Sequence, residues 1–175
     1  MNPEDFLAHH ISRIARTEDL KARFKLFFPE LDMELYLPQE YESESLKSKE
    51  VDGIGRYYFF SRQGKMQFHE FVLDIICDEL AARAIEFQRP NKKRGSDLII
   101  GKWRIELEIR SNPPKRPESR NNLIERVKRY PETTIILLLN RKDKQRYLHS
   151  PLREIISQNR RFLTVSEFLA NPPFP

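Results

Sequence analysis

Two hydrophobic spacings alternate along this chain and mark out its elements. From Met66 to Ala84, the residues Phe68, Phe71, Val72, Ile75 and Ile76 share one broad arc, which predicts a helix. Glu70, Asp74 and Asp78 recur every four residues along one edge of it, and Glu79 falls inside the apolar arc, where an i, i+4 pair with Arg83 accounts for it. From Trp103 the period is two. Trp103, Ile105, Leu107 and Ile109 take one face of a strand, and Arg104, Glu106, Glu108 and Arg110 take the other. Leu98 and Ile100 form a preceding strand, with Asp97 pointing the opposite way and Gly101-Lys102 as the turn. Thr133 to Asn140 is continuously apolar, the pattern of a central strand buried on both faces.

The rest of the chain fills in around these. Residues 3–28 are expected to be helical, with Phe6, Leu7, Ile11 and Ile14 and then Leu20, Phe24, Phe27 and Phe28 at helical spacing, ended by Pro29. Residues 33–37 alternate as a strand, 40–50 read as a charged exposed loop, and the aromatic stretch 53–60 reads as a strand or an anchoring segment. Gly53 and Gly55 make no phosphate loop, because no Gly-Lys-Ser/Thr follows. Residues 85–88 suit a short strand, 121–130 a helix stopped by Pro131, 141–146 a charged loop or turn, 148–158 a helix, 161–165 a last strand and 166–170 a final turn. From residue 66 onward this order predicts an α/β fold, a mixed central β-sheet flanked by helices. Residues 1–62 are expected to form an N-terminal helical and aromatic extension, and 63–175 the α/β core.

At 175 residues the chain suits one domain with a small appendage. A net charge of +5 and a pI near 9.3 make a polyanion a natural partner. The single cysteine, Cys77, leaves no intrachain disulfide and is expected in the core. The first residues lack the basic-then-apolar pattern of a signal peptide, and no apolar run approaches the roughly 20 residues of a membrane helix. A cytoplasmic protein without a membrane partner is the expectation. His9 and His10 are adjacent, so on a helix they point apart and do not share a metal.

Chemistry concentrates at the hairpin. With a two-residue turn Asp97 lies across from Glu106; with a longer loop it lies across from Glu108. Either register gathers three carboxylates on one face, a costly arrangement that a divalent cation relieves. The competing reading is a solvated strand face with Arg104–Glu106 and Glu108–Arg110 pairs. Basic loops lie on both sides of the hairpin, at 89–95 and 111–120, and the helix after it carries Arg126, Lys128 and Arg129.

Four segments carry a family resemblance: Gly64-Lys-Met-Gln-Phe-His-Glu70, Gly95-Ser-Asp-Leu-Ile-Ile100, Leu107-Glu-Ile-Arg110 and Thr133-Thr-Ile-Ile-Leu-Leu-Leu139. In order and spacing, roughly residues 64–170 resemble the PD-(D/E)XK nuclease superfamily, the restriction-endonuclease-like fold. The resemblance implies a DNA endonuclease that hydrolyses phosphodiester bonds with Mg²⁺ or Mn²⁺, and a homodimer. It casts Asp97 and Glu108 as main metal ligands, with Glu70 completing the site. Arg110 stands where the family has a lysine, and arginine holds a phosphate or a water but does not act as a base. A second alignment takes Glu106-Leu-Glu108 as the motif, with Glu106 as ligand and Glu108 in the lysine place. Lys92, Lys93, Arg94, Lys115, Arg116 and Arg126 are the residues expected to contact nucleic acid. The alternative is a catalytically degenerate nuclease fold that only binds nucleic acid or a protein partner.

Overall fold

The structure is a computed structural model, and it describes residues 23–28, 33–38, 46–60, 64–90, 96–156 and 161–173. The chain divides into two compact units, Met1–Glu50 with Gly55–Phe68, and Val51–Ile54 with His69–Pro175.

The first unit holds two hairpins. Strand β1 (Arg23–Phe28) pairs antiparallel with β2 (Met33–Pro38), in a register that sets Arg23 against Pro38 and Phe28 against Met33. The expected strand at 33–37 is therefore present. The expected helix over 3–28 is not what forms at 23–28, and residues 3–22 lie outside the described residues. Arg-Phe-Lys-Leu-Phe-Phe satisfies a period of two as well as it satisfies helical spacing, and pairing with the alternating partner strand decides between them. Strand β3 (Leu46–Val51) pairs with β4 (Gly55–Phe60), so the end of the segment read as a charged loop is strand. Its polar residues serve the pairing: Arg56 donates to Ser48 Oγ at 3.0 Å and reaches Glu50 at 3.3 Å across the hairpin. The Tyr57 and Phe59 rings pack on Phe68, Phe59 in a near-parallel stack at 4.7 Å.

Helix α1 (Gly64–Ala82) buries Phe68, Phe71, Val72 and Ile76, as its spacing predicts, and also Leu73 and Leu80, while Ile75 is only half-buried. It ends without a glycine. Ala84 takes a left-handed φ of 55°, and the Ile85 amide returns to the Leu80 carbonyl at 3.0 Å. Glu79 is exposed and meets Arg83 at 3.6 Å, the expected i, i+4 pair. Cys77 is only half-buried, not a core thiol, because it falls on the edge of α1 that carries Asp74 and Asp78.

The second unit is α/β. Its sheet has the order β5 (Leu98–Ile100), β6 (Trp103–Glu108), β7 (Thr134–Leu138), β8 (Arg161–Thr164), with helices α2 (Pro117–Arg129), α3 (Arg141–Leu148), α4 (Leu152–Ile156) and α5 (Val165–Ala170). The sheet is mixed: β5 runs antiparallel to β6, while β6, β7 and β8 are parallel. Every residue of β7 is buried, as the continuous apolar run requires. Ile136, Leu138 and Phe162 on one sheet face pack with Leu123, Ile124 and Val127 of α2 and with Tyr147 and Leu152. Each fully buried large apolar side chain of this kind contributes roughly 1.5–3 kcal/mol.

Three expectations in this unit change. The helix expected over 148–158 is α4 from Leu152 to Ile156, with Leu148 ending α3 and 157–158 outside the described residues. Residues 85–88 form no strand, only a bridge from Gln88 to Ile99. Residues 141–146 are helical rather than a loop, because Asn140 caps α3 by accepting from the Asp143 amide at 2.8 Å, and Asp143 and Tyr147, one turn apart, are both buried. Among the described residues no helix is long and apolar enough to cross a membrane.

Candidate functional site

The hairpin turn fixes everything downstream. Ile100 pairs with Trp103, Ile99 with Arg104 and Leu98 with Ile105, so Gly101-Lys102 is a two-residue turn. Gly101 has a φ of +56°, a conformation that a side chain resists even though a Cβ there meets nothing within 4 Å. Continuing the ladder by one residue sets Asp97 opposite Glu106. Of the two possible registers, the shorter loop is the one formed, and Glu108 is not across from Asp97.

The polar face of β6 is not solvated. β6 lies between β5 and β7, and Glu106 is 3% and Glu108 7% exposed. The two carboxylates meet this burial differently. Glu108 is held by its neighbour Arg110: Arg110 Nε donates to Oε1 at 2.8 Å, Nη2 to Oε2 at 2.7 Å, and the Arg110 amide to Oε1 at 2.9 Å. The Tyr147 hydroxyl stands beside this pair, its pKa raised by burial and then by the Glu108 charge, while the hydroxyl donates to the Asn112 carbonyl at 3.3 Å. The anticipated Glu108–Arg110 pair is therefore real, but buried.

Glu106 has no such clamp. The expected Arg104–Glu106 pair does not form; Arg104 instead lies over the Tyr130 ring at 4.7 Å. The cation at Glu106 is Arg126 of α2, 3.3 Å away, on a side chain that is itself 57% exposed. Burial pushes the Glu106 carboxyl up to about 7, and the facing Asp97 charge adds to this, against the opposing effects of Arg126 and a hydrogen bond from Ser96. Asp97 is oriented by the Leu107 amide, which donates to Oδ2 at 2.7 Å.

A histidine completes the local network. His69 on α1 places Nε2 3.5 Å from Asp97 Oδ2 and Nδ1 3.5 Å from Glu70 Oε1, separations of charge attraction rather than of hydrogen bonds. Burial opposes its protonation, but the two carboxylates outweigh burial and its pKa is raised. Glu70 itself is ion-paired with Arg89, which also grips Asp74. The structure thus brings Asp97 to Glu106 directly and to Glu70 through His69, and it holds Glu108 and Arg110 as a separate pair.

The expected nucleic-acid contacts divide likewise. Lys92, Lys93 and Arg94 lie outside the described residues. Lys115 and Arg116 are exposed on the extended segment that enters α2, with Arg116 at the N-cap and Pro117 at the first helical position. Arg126 touches Glu106. His69, Arg89, Tyr130 and Tyr147 carry contacts that sequence reasoning did not assign. The one available signal was the place of His69 beside Glu70 in the segment that carries the resemblance.

Among the described residues no group of three or more His, Cys, Asp or Glu side chains is gathered to hold a metal. What is present is a facing pair of hard oxygen donors, one of them buried and met by a single long contact from an exposed arginine. That fits an ion such as Mg²⁺, which keeps several waters and takes only one or two carboxylates from a protein. In comparisons with known proteins, the chain matches no family model, no curated protein and no solved structure.

Proposed function

We propose that this chain is a metal-dependent endonuclease that hydrolyses phosphodiester bonds in DNA, built on a restriction-endonuclease-like core. The observation that carries this reading is the facing of Asp97 and Glu106 across the β5–β6 hairpin, with Glu106 buried and contacted by one exposed arginine at 3.3 Å. The order helix, hairpin, helix, buried parallel strand supports the fold assignment.

Asp97 and Glu106 would hold Mg²⁺ or Mn²⁺. The bound ion supplies neutralisation of the phosphate and a water of lowered pKa. The chain's own residues do the rest. The Leu107 amide fixes one oxygen of Asp97 and leaves Oδ1 for a ligand. His69 and Glu70 back Asp97 from the helix side. Arg126, on an exposed side chain, would be available to a phosphate oxygen if a cation met the Glu106 charge. Lys115 and Arg116 follow the phosphate backbone. Arg110 is no base, and its role is to keep Glu108 neutralised.

The engagement of Arg110 by Glu108 favours a second reading, in which the fold binds nucleic acid without cutting it. Supercoiled plasmid incubated with Mg²⁺ or Mn²⁺ separates the two. Nicking by the wild type that is lost in Asp97→Asn and in Glu106→Gln is the expected result. Salt-sensitive DNA binding with no nicking under any divalent ion hands the case to the binding module. Neither binding nor nicking sinks both.

A further inference from the structure

The carboxylate pair has an aromatic and cationic neighbour that no part of the hydrolysis requires. Arg104 precedes Glu106 by two residues on the same face of β6, about 7 Å along the strand. Its guanidinium lies 4.7 Å from the Tyr130 ring, and its Nε is buried without a hydrogen-bond partner. Among the described residues no carboxylate pairs with it. Tyr130 follows α2 and remains 41% exposed, one of two large hydrophobic side chains exposed to that degree among the described residues. An exposed aromatic ring backed by an arginine without a counter-charge is a poor arrangement for folding alone. A π-system that brings a negative charge with it completes both groups.

The same end of the sheet repeats the pattern. β6, β7 and β8 are parallel, so their first residues lie together. On the other face of β6, the Trp103 ring has Lys102 at 5.4 Å and Arg161, from the start of β8, at 5.2 Å. Two cation-backed aromatic rings thus occupy the same end of the sheet, one on each face, all within the second unit. A nucleobase stacks on such rings, and its phosphate meets the cations.

We infer that Tyr130, backed by Arg104, is a stacking subsite for one unpaired nucleotide adjacent to the Asp97–Glu106 pair, so that single-stranded nucleic acid is the preferred ligand. This rests on the proposed nuclease site for its purpose, but not for its test. The spacing of about 7 Å from Arg104 to Glu106 places the stacked base beside the phosphate at the carboxylates. A fully paired duplex has no free base face to offer there.

The chain's single tryptophan is Trp103, on the opposite face of β6 from Tyr130, so its fluorescence reports separately on that second aromatic cluster. The full chain is titrated with a fluorescein-labelled 12-nucleotide oligothymidylate, with an abasic strand of equal length, and with a duplex of equal length. Anisotropy of the labelled strands and tryptophan emission are read in parallel, in EDTA to prevent cleavage. The expected result is tightest binding of the thymidylate strand by anisotropy. Tyr130→Leu should weaken it about 5- to 150-fold, the range for loss of one stacked base, while Tyr130→Phe and Tyr130→Trp retain it. Binding of the abasic strand should be weaker and unmoved by Tyr130→Leu. Circular dichroism and thermal midpoint of each variant confirm its folding. Duplex or abasic strand binding as tightly as the thymidylate strand, or a loss below twofold in Tyr130→Leu, overturns the subsite. If the strand binds with Tyr130 dependence but no divalent ion yields cleavage, the subsite stands and the nuclease reading falls. If duplex plasmid is nicked equally by wild type and Tyr130→Leu with no single-strand preference, the nuclease reading stands and the subsite falls.

Discussion

Glu106→Gln should make this protein more stable, and by an amount that grows with pH. The Glu106 carboxyl is 3% exposed and faces Asp97, and its pKa stands at about 7 against an ordinary 4.5. Below pH 4.5 the group is protonated in folded and unfolded chains alike, and nothing is lost. Between 4.5 and 7 the folded state holds a proton that the unfolded state has released, so stability falls as pH rises. Above 7 the loss is complete. A shift from 4.5 to about 7, at 1.36 kcal/mol per tenfold change in acidity, corresponds to about 3 kcal/mol. The neutral amide escapes this penalty. It gives up the contact with Arg126, but that side chain is 57% exposed, and such a contact is worth about 1 kcal/mol or less. A net gain of about 2–3 kcal/mol at pH 8 remains, shrinking toward zero near pH 4.5. In a chain of this length that is roughly 5–10 °C in Tm. Urea titrations of wild type and variant at pH 5, 6, 7 and 8, in EDTA, measure the difference directly. A difference that is flat across this range, or a variant less stable than wild type at pH 8, refutes the argument, because burial of the Glu106 charge is its whole basis.

Other outcomes follow from the same contacts. Mn²⁺ or Mg²⁺ should raise the Tm of the wild type at pH 8, with about 2.7 kcal/mol gained at a hundredfold excess over Kd, and the gain should vanish in Asp97→Asn and in Glu106→Gln by differential scanning fluorimetry. Arg110→Ala strands a carboxylate that is 7% exposed and should cost about 3–5 kcal/mol in urea unfolding, whereas Glu108→Gln combined with Arg110→Met should recover most of it. Ala84→Gly relieves the left-handed φ of 55° at the end of α1 and should stabilise by about 0.5–1 kcal/mol, unusual for a glycine substitution and readable as a higher urea midpoint.

How much of this was legible in the sequence depends on which contacts decided each element. The run from Thr133 to Asn140 could only be a strand buried on both faces, and β7 is that strand. Alternation around Gly101-Lys102 gave the hairpin and two candidate registers, and the tight turn selects one of them. The mixed sheet flanked by helices followed from the order of elements. The misreadings came where local pattern was neutral. Arg23–Phe28 suits either period, and its partner strand decides. Residues 141–146 read as a charged loop because only Asp143 among them is buried. The burial of Glu106 and Glu108 was not legible either. Alternation described β6 as a strand with one polar face, and nothing local reveals that a strand between two others carries that face inside. His69 and Tyr130 join their sites through tertiary approach alone.

The polar face of β6 sets one problem twice and solves it in two ways. Glu106 and Glu108 are two residues apart and almost equally buried. At Glu108 a guanidinium closes on both carboxylate oxygens, and a backbone amide adds a third hydrogen bond. That charge is satisfied within the fold, and an incoming cation would have to displace a bidentate pair to reach it. At Glu106 the cation among the described residues is Arg126, offset at 3.3 Å on an exposed side chain, and a second carboxylate faces it, so a dication would gain from two charges and displace one weak contact. On the proposed reading, the asymmetry favours Asp97 and Glu106, away from Arg110, as the place for a metal. It also changes what Arg110 means. An arginine in the place of a catalytic lysine looks like a lost function, but here its geometry is that of a structural counter-ion. Arg110→Lys would exchange a planar fork for a single point charge beside a buried carboxylate, and so would weaken the strand end without supplying a base to the Asp97–Glu106 pair.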